Sequence, residues 1–197
     1  MTAIVLAFDG LIASTLDARV ESLQLALSAQ GIIIELERFR ETLPGRTFQE
    51  AATALVGEND PTLTDLAALR AQRDASARLA HGVSLAPNAR AFIEAQRATG
   101  AKLVLRADSL RRDVERVLQL TDLEFAFTFV RCPDDLPRGR GVSSLEASYS
   151  AITARLDALR VGERRTIEYT ASAAEVARRL TGQGEWMLEL DEGLSRH

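Results

Sequence analysis

The feature that most constrains the fold is an alternation of short apolar segments with amphipathic ones, which dominates the second half of the chain. Apolar segments typical of buried strands lie at residues 3–8, 102–105, 125–130, 165–169 and 186–190. Helical patterns separate the later ones, at 110–120, 143–159 and 171–180. Strands that alternate with helices pair in parallel, with helices on both faces of the sheet. The sequence therefore predicts an α/β fold with a Rossmann-like parallel sheet.

A long helical segment interrupts this alternation after the first strand. Amphipathic or alanine-rich patterns run through residues 17–30, 35–43, 47–56 and 61–80, and a further helix is expected at 88–98. A chain of 197 residues fits one domain with a sizeable insertion. We therefore predict an α/β core formed by residues 1–14 and 83–197, with an inserted all-helical cap at 15–82.

The composition excludes several classes of protein. Hydrophobic residues make up 46% of the chain and charged residues 26%, which is enough apolar material for a packed core. A net charge of −4 argues against binding to nucleic acid or to an anionic membrane. The single cysteine, Cys132, can form neither an internal disulfide nor a zinc cluster. No secretory signal and no apolar run of about 18 residues is present, so we expect a soluble, cytoplasmic protein.

The candidate site lies where the predicted strands end, because open parallel sheets bind ligands beyond the carboxyl ends of their strands. The residues to consider are 7–10, 106–109, 131–135 and 168–170. Asp108 or Ser109 is expected to cap the helix that follows. The pair at 134–135 precedes Leu-Pro and predicts a turn. Arginine accounts for 23 of the 24 basic residues, so an arginine at any one of these positions is weak support for function.

Four segments carry a resemblance to a known family. They read AFDGLIAST at 7–15, LVLRADS at 103–109, DDLPRGRG at 134–141 and TIEYT at 166–170. Their order and spacing resemble those of the haloacid dehalogenase superfamily, in its phosphoglucomutase-like branch with a helical cap. The resemblance covers essentially the whole chain. It implies a Rossmann-like core with a cap, and phosphoryl-transfer or hydrolase chemistry that uses magnesium.

The resemblance assigns roles to two positions after the first strand. The family's nucleophilic aspartate, which takes up the phosphoryl group, corresponds to Ala7. Its second aspartate, the general acid and base, is retained as Asp9. Asp9 has two open interpretations, a retained acid/base or a structural carboxylate that binds backbone N–H groups and pairs with Arg106.

Three further family positions are also changed. The serine or threonine that binds phosphate corresponds to Arg106, and the phosphate-binding lysine corresponds to Arg140. The acidic metal ligand corresponds to Tyr169, which leaves Glu168 just before it. Arg106 has two open interpretations, a binding group for a phosphorylated ligand or an internal ion pair with Asp9 or Glu168.

These changes remove what the family's reaction needs. A methyl group at Ala7 cannot act as a nucleophile. Magnesium prefers oxygen ligands, usually including carboxylates, and Ala7 and Tyr169 supply none. Two carboxylates, Asp9 and Glu168, face two guanidinium groups, Arg106 and Arg140, so the formal charges cancel without a metal ion. We therefore expect no resident metal or other cofactor.

Three functions remain open from the sequence. The first is a protein that has lost phosphoryl-transfer catalysis and acts as a binding or interaction module. Its ligand would be a small anion, a phosphorylated molecule or another protein. The second is a phosphatase-like hydrolase with residual or altered metal-independent activity that uses Asp9. The third is a structural subunit of a complex. Fold alone does not choose among them.

Overall fold

A parallel sheet of four strands forms the centre of the part of the chain that the structure describes. The computed structural model describes residues 2–136 and 142–169. Within them the strands are β1 (Thr2–Ala7), β2 (Lys102–Arg106), β3 (Phe129–Arg131) and β4 (Glu163–Ile167). All pairings are parallel, and the strand order is β3-β2-β1-β4. The α/β prediction is confirmed. The helix predicted at 171–180 and the strand predicted at 186–190 lie outside the described residues.

Helices precede or follow every strand in the described ranges. They are α1 (Leu16–Ser28), α2 (Leu36–Thr42), α3 (Phe48–Val56), α4 (Pro61–Ala80), α5 (Ala89–Ala98), α6 (Arg111–Leu120) and α7 (Ser144–Ala158). None of these helices is long and apolar enough to cross a membrane. A single 3-10 turn covers Pro133–Asp135, which confirms the turn predicted there.

Alternating side chains of β1 divide the core into two apolar clusters, one on each face of the sheet. Ile4 and Leu6 pack in a cluster that includes residues of α5 and α6. Ala3 and Val5 belong to the opposite cluster, which includes Tyr149 and other residues of α7. This alternation follows from the two-residue period of a strand. Helices therefore cover both faces, as the sequence predicts.

The helices α1–α4, here called the helical unit, have an apolar cluster of their own. It contains Val20, Leu23 and Leu27 of α1 together with a series of small side chains on α4, which include Ala67 and Ala71. Small residues let two helices approach closely, and α1 packs extensively against α4. The assignment of residues 15–82 as a separate cap remains a prediction.

Two strands differ in position from the sequence-based prediction. The segment 125–130 was expected to be a strand, but pairing is confined to Phe129–Arg131, and Phe125 is 84% exposed. After α6 the chain turns first, with Asp122 at a φ of +54°. The last described strand ends at Ile167 rather than at residue 169. This end point places Glu168 and Tyr169 beyond the strand, at the carboxyl edge of the sheet.

Candidate functional site

The strand register brings the predicted site residues to one edge. Ala7 pairs with Arg106 across β1 and β2, and Leu6 pairs with Ile167 across β1 and β4. The residues that follow these pairs therefore meet at the carboxyl end of the sheet. This is the edge where a ligand would be expected.

Ala7 lies inside the apolar core. Its side chain is fully buried and belongs to the cluster that also contains Leu6 and Ile12. The backbone N–H of Phe8 donates to the carbonyl oxygen of Arg106 at 2.7 Å, which continues the sheet past Ala7. The position that the family resemblance assigns to the nucleophile thus presents only a packed methyl group.

Asp9 is buried, and four hydrogen bonds hold its carboxylate. Oδ2 accepts the backbone N–H groups of Asp108 at 2.6 Å and Ser109 at 3.1 Å. Oδ1 accepts the hydroxyl groups of Thr15 at 2.8 Å and Ser109 at 2.5 Å. Burial acts to raise the pKa of Asp9, but the charge of Arg19 and these hydrogen bonds outweigh it and lower the pKa. Asp9 therefore stays ionised and bound within the protein.

Arg106 forms a bidentate ion pair with Glu168. Nε donates to Oε1 at 2.8 Å and Nη2 donates to Oε2 at 2.9 Å, with the two side chains only 3% and 1% exposed. The Tyr149 hydroxyl donates to the same Oε1. Burial alone would lower the pKa of Arg106, but the charges of Asp108 and Glu168 raise it well above its ordinary value. The predicted ion pair with Glu168 is confirmed, whereas the ion-pair partner of Asp9 is Arg19 rather than Arg106.

Asp108 has a role that the sequence did not reveal. The prediction that Asp108 or Ser109 caps the next helix is wrong, because α6 begins at Arg111 and Leu110 occupies its N-cap position. Asp108 instead uses Oδ1 to accept from Nη1 of Arg106, and Oδ2 to accept the Gly45 N–H at 2.9 Å. Arg106 therefore makes hydrogen bonds to two carboxylates at once.

Arg19 is the second residue that sequence reasoning missed. It lies on α1, is 1% exposed, and places Nη1 at 3.8 Å from Asp9 and 3.6 Å from Asp108. Its Nη2 donates to the carbonyl oxygen of Arg46 at 2.6 Å. A signal was present, because Arg19 precedes Leu23 by four residues and so falls on the apolar face of the helix. A charged residue on such a face indicates a buried partner.

Tyr169 covers the loop that follows β1. It is 45% exposed, and a Cβ atom built on Gly10 would lie only 2.8 Å from its Cδ2. Gly10 also has a φ of +83°, which favours glycine. The aromatic ring therefore rests on the bare backbone of Gly10. Arg140, the fourth changed family position, lies outside the described residues.

The loop after β3 is stabilised by internal contacts. Asp135 accepts hydrogen bonds at 2.6 Å from both Nε and Nη2 of Arg111, and from the Cys132 N–H at 2.8 Å. Burial acts to raise the pKa of Asp135, and these bonds lower it on balance. Burial also raises the pKa of the Cys132 thiol far above its ordinary value. Asp135 is thus engaged within the loop, and the Cys132 thiol is not a reactive thiolate.

The residues at the strand ends do not fit the magnesium ion that the family resemblance implies. Among the described residues, no cluster of three or more His, Cys, Asp or Glu side chains is arranged to hold a metal ion. Ala7 has no donor, both oxygens of Asp9 accept hydrogen bonds, and both oxygens of Glu168 face Arg106. The Arg106 guanidinium therefore balances the negative charge of these carboxylates, which a metal ion would otherwise balance.

The described site carries a net charge of about −1. The carboxylates are Asp9, Asp108 and Glu168, and the guanidinium groups are Arg19 and Arg106. Buried charges are tolerated when they are paired and hydrogen-bonded. The arrangement is an internal charge network that links β1, β2, the residue after β4 and the helical unit.

Comparison with known proteins identifies the class of fold. No family model matches the chain, and no curated protein sequence matches it. Several solved structures do match over most of their length. CbbY from Rhodobacter sphaeroides in complex with phosphate shares 18% identity at a TM-score of 0.69, over 93% of this chain and 84% of that one.

Two further structures agree with this result. A haloacid dehalogenase-like family hydrolase from Streptococcus pneumoniae has a TM-score of 0.72 and 13% identity, over 93% of this chain and 83% of that one. A hydrolase from Pseudomonas syringae has a TM-score of 0.72 and 18% identity, over 96% and 85%. The chain therefore has the haloacid dehalogenase-like fold, and the resemblance drawn from its sequence is confirmed at the level of fold.

Proposed function

We propose that this chain is a haloacid dehalogenase-like protein without phosphoryl-transfer catalysis, and that it works as an interaction module for another protein. The observation that carries the proposal is the state of Arg106. Its guanidinium group is buried at the end of β2 and binds Glu168 and Asp108. An internal ion pair thus fills the edge of the sheet where a substrate would bind.

The contacts of Arg106 also bear on the choice of ligand. Nε, Nη1 and Nη2 each donate to a carboxylate of the protein. A phosphorylated ligand or a small anion would have to displace Glu168 or Asp108 and leave that acid buried without its partner. Such a displacement is strongly unfavourable. We therefore favour a protein partner that contacts the surface over an anion bound at Arg106.

The missing chemical groups support the loss of catalysis. Phosphoryl transfer depends on positioning and on electrostatic stabilisation of the transferring group. Ala7 offers no nucleophile, Arg106 stands where a hydroxyl would be expected, and Tyr169 stands where a metal carboxylate would be expected. A general acid/base alone contributes roughly 10²–10⁴-fold. That contribution is small beside the total acceleration of phosphatases, which approaches about 10²¹-fold for monoesters.

The second candidate function, a metal-independent hydrolase that uses Asp9, rests on the retention of that carboxylate. Its lowered pKa keeps it ionised, as a general base requires. The four hydrogen bonds that it accepts weigh against this role, because a base needs an oxygen within reach of the proton it removes. An activity measurement separates the two candidates.

The deciding experiment is release of phosphate from a panel of sugar phosphates and an aryl phosphate, with and without magnesium. We expect turnover at the level of the buffer control, unchanged in an Asp9→Asn variant. A phosphatase of known activity in the same assay confirms the detection limit. Magnesium-dependent turnover that Asp9→Asn abolishes would refute the proposal, and metal-independent turnover with the same sensitivity would establish the second candidate.

A reconstruction experiment tests the assigned cause. Ala7→Asp alone should stay inactive, because Arg106 still binds Glu168 and Asp108 at the end of the sheet. The triple variant Ala7→Asp, Arg106→Thr, Tyr169→Asp is the smallest change that returns a nucleophile, a hydroxyl and a metal carboxylate together. Activity in Ala7→Asp alone would show that the Arg106 ion pairs do not block the site.

A further inference from the structure

Two parts of the molecule meet across a boundary that is crossed twice by the chain. The helical unit has its own apolar cluster, separate from the two clusters of the sheet. The chain enters the unit through residues 8–15 and leaves it through 81–88. These crossings pair with each other, since Ser14 N–H donates to the Ser84 carbonyl at 3.0 Å and Ala86 N–H donates to that of Ile12 at 2.9 Å. Two bodies joined by a narrow double connection can hinge unless other contacts hold them together.

The first such contact lies over the charge network. Asp108, at the end of β2, accepts the Gly45 N–H from the loop between α2 and α3. Arg19 of α1 reaches the same carboxylate and Asp9, and both acids lie on the sheet side of the boundary. Arg19 is also anchored within its own unit by the Arg46 carbonyl at 2.6 Å. Opening at this point would expose the buried charges of Arg19, Asp9 and Asp108 to water or separate them from their partners.

The second contact joins two helix N-termini through one carboxylate. Glu50 lies in the first turn of α3, where Thr47 donates to its Oε2 at 2.8 Å from the backbone and 2.9 Å from the hydroxyl. Across the boundary, the N–H of Ser144 at the start of α7 donates to Oε1 at 2.6 Å, and its hydroxyl donates to Oε2. An anion is favoured at a helix N-terminus, and the Glu50 carboxylate lies at the N-termini of both α3 and α7.

The third contact connects α4 with α6. Asp113 of α6 is buried, and its Oδ2 accepts the Ser76 hydroxyl at 2.7 Å and the Gln72 amide at 3.2 Å. The three contacts involve different helices of the unit and different elements of the core. Opening of the helical unit would therefore break carboxylate contacts at the end of β2, at the start of α7 and on α6.

We infer that these contacts form a latch that holds the helical unit closed on the sheet without a ligand, as a fixed lid over Asp9 and Arg106. The latch consists of Arg19 and Gly45 on Asp108, Glu50 on Ser144, and Ser76 with Gln72 on Asp113. Hydrogen bonds to charged groups are the stronger ones in proteins, and each contact contains at least one carboxylate. Closure therefore needs no ligand. The proposed lack of catalysis is tested separately, by the activity assay.

The test measures the distance between the two bodies in solution. Spin labels are attached to Glu37→Cys on α2 and Ala95→Cys on α5, both exposed, in a Cys132→Ala background. Pulsed dipolar spectroscopy should give one narrow distance distribution that magnesium and inorganic phosphate leave unchanged. Arg19→Met and Glu50→Gln should each add a longer component. Arg78→Met, which removes exposed ion pairs within the unit alone, should not.

Amide hydrogen exchange supplies a second readout. The N–H groups of Gly45 and Ser144 are donors in the latch, so their exchange reports opening directly. Their rates should rise about ten- to hundredfold in Glu50→Gln, the equivalent of losing one charged hydrogen bond. They should also rise in Arg19→Met, which removes the ion pairs of Arg19 with Asp9 and Asp108. The N–H of Leu63, which binds Asp60 inside the unit, is the internal control.

The outcomes are decisive in either direction. A broad distance distribution in the labelled parent, or a shift on adding phosphate, would overturn the latch. The same holds if both Arg19→Met and Glu50→Gln keep the parent distribution and the parent exchange rates. If Arg19→Met does not fold, Glu50→Gln decides alone, because Glu50 is only partly buried and the change keeps its shape.

Discussion

Replacement of Arg106 by methionine should be among the most destabilising single changes in this protein. The substitution keeps an unbranched side chain but removes the charge shared by Glu168 and Asp108. Glu168 would then be buried without a cation and would retain only the Tyr149 hydroxyl. Asp108 would lose its nearer guanidinium and retain the Gly45 N–H and the more distant Arg19.

The magnitude follows from the burial of the pair. Arg106 and Glu168 are each at least 97% buried as side chains, and two hydrogen bonds of 2.8 and 2.9 Å join them. Removing one member of a buried ion pair costs about 3–5 kcal/mol. For a chain of this size each kcal/mol lowers Tm by about 2–4 °C, so Tm should fall by roughly 6–20 °C.

The assay is urea unfolding monitored by circular dichroism, in a double-mutant cycle with Glu168→Gln. That partner change keeps an oxygen for the Tyr149 hydroxyl and removes the charge. We expect a coupling free energy of at least about 1.5 kcal/mol between Arg106 and Glu168, the lower value for one charged hydrogen bond.

A matched surface pair is the control. Arg38 and Glu41 form an ion pair with both side chains more than half exposed. The cycle of Arg38→Met with Glu41→Gln should give a coupling within about 0–1 kcal/mol. If Arg106→Met costs less than about 1 kcal/mol, or its coupling to Glu168 matches the surface pair, the reasoning from burial is wrong.

Three further outcomes follow from the same structure. Glu50 has a pKa below its ordinary value of 4.5 because its hydrogen bonds outweigh the effect of burial, so its contribution to stability is present above pH 4.5 and is lost as the pH falls through the folded pKa. Acid unfolding of Glu50→Gln should accordingly depend less steeply on pH below 4.5. Magnesium at millimolar concentration should not raise Tm, and a saturable rise would show a metal site. The Cys132 thiol should not react with an aromatic disulfide reagent at pH 8 until the protein unfolds, because burial raises its pKa; rapid labelling of the native protein would contradict this.

Much of the fold could be predicted because its signals are local. The apolar run before Ala7 and the alternation after residue 100 depend only on period and on turn residues, and they predict β1, β2, α6 and α7. The prediction of a strand over 125–130 was wrong at its start. Its β-branched and aromatic residues favour strands, but Phe125 is exposed in a turn. Propensity does not show where a partner strand begins to pair.

The candidate site could be predicted in part. Strand ends in a parallel sheet converge, so the sequence places Asp9, Arg106 and Glu168 at one edge. An ion pair of Arg106 with Asp9 or Glu168 is one of the two interpretations that the sequence leaves open, and the structure shows the pair with Glu168. The sequence did not show which cation serves Asp9, because Arg19 arrives from a helix of the inserted unit. Asp108 was also misassigned, since an acid before a helix more often caps it. Such pairings depend on tertiary packing rather than on spacing.

The attachment of Arg106 to two acids restricts how this sequence can drift. A change at Arg106 alone leaves Glu168 as an uncompensated buried charge and Asp108 with only the more distant Arg19 as a cation, and a change at either acid leaves the guanidinium without one of its acceptors. A lineage that alters one of these positions passes through a less stable intermediate, with lower abundance in the cell, unless a second substitution arrives with it. We expect descendants of this sequence to keep the three residues together or to replace them together.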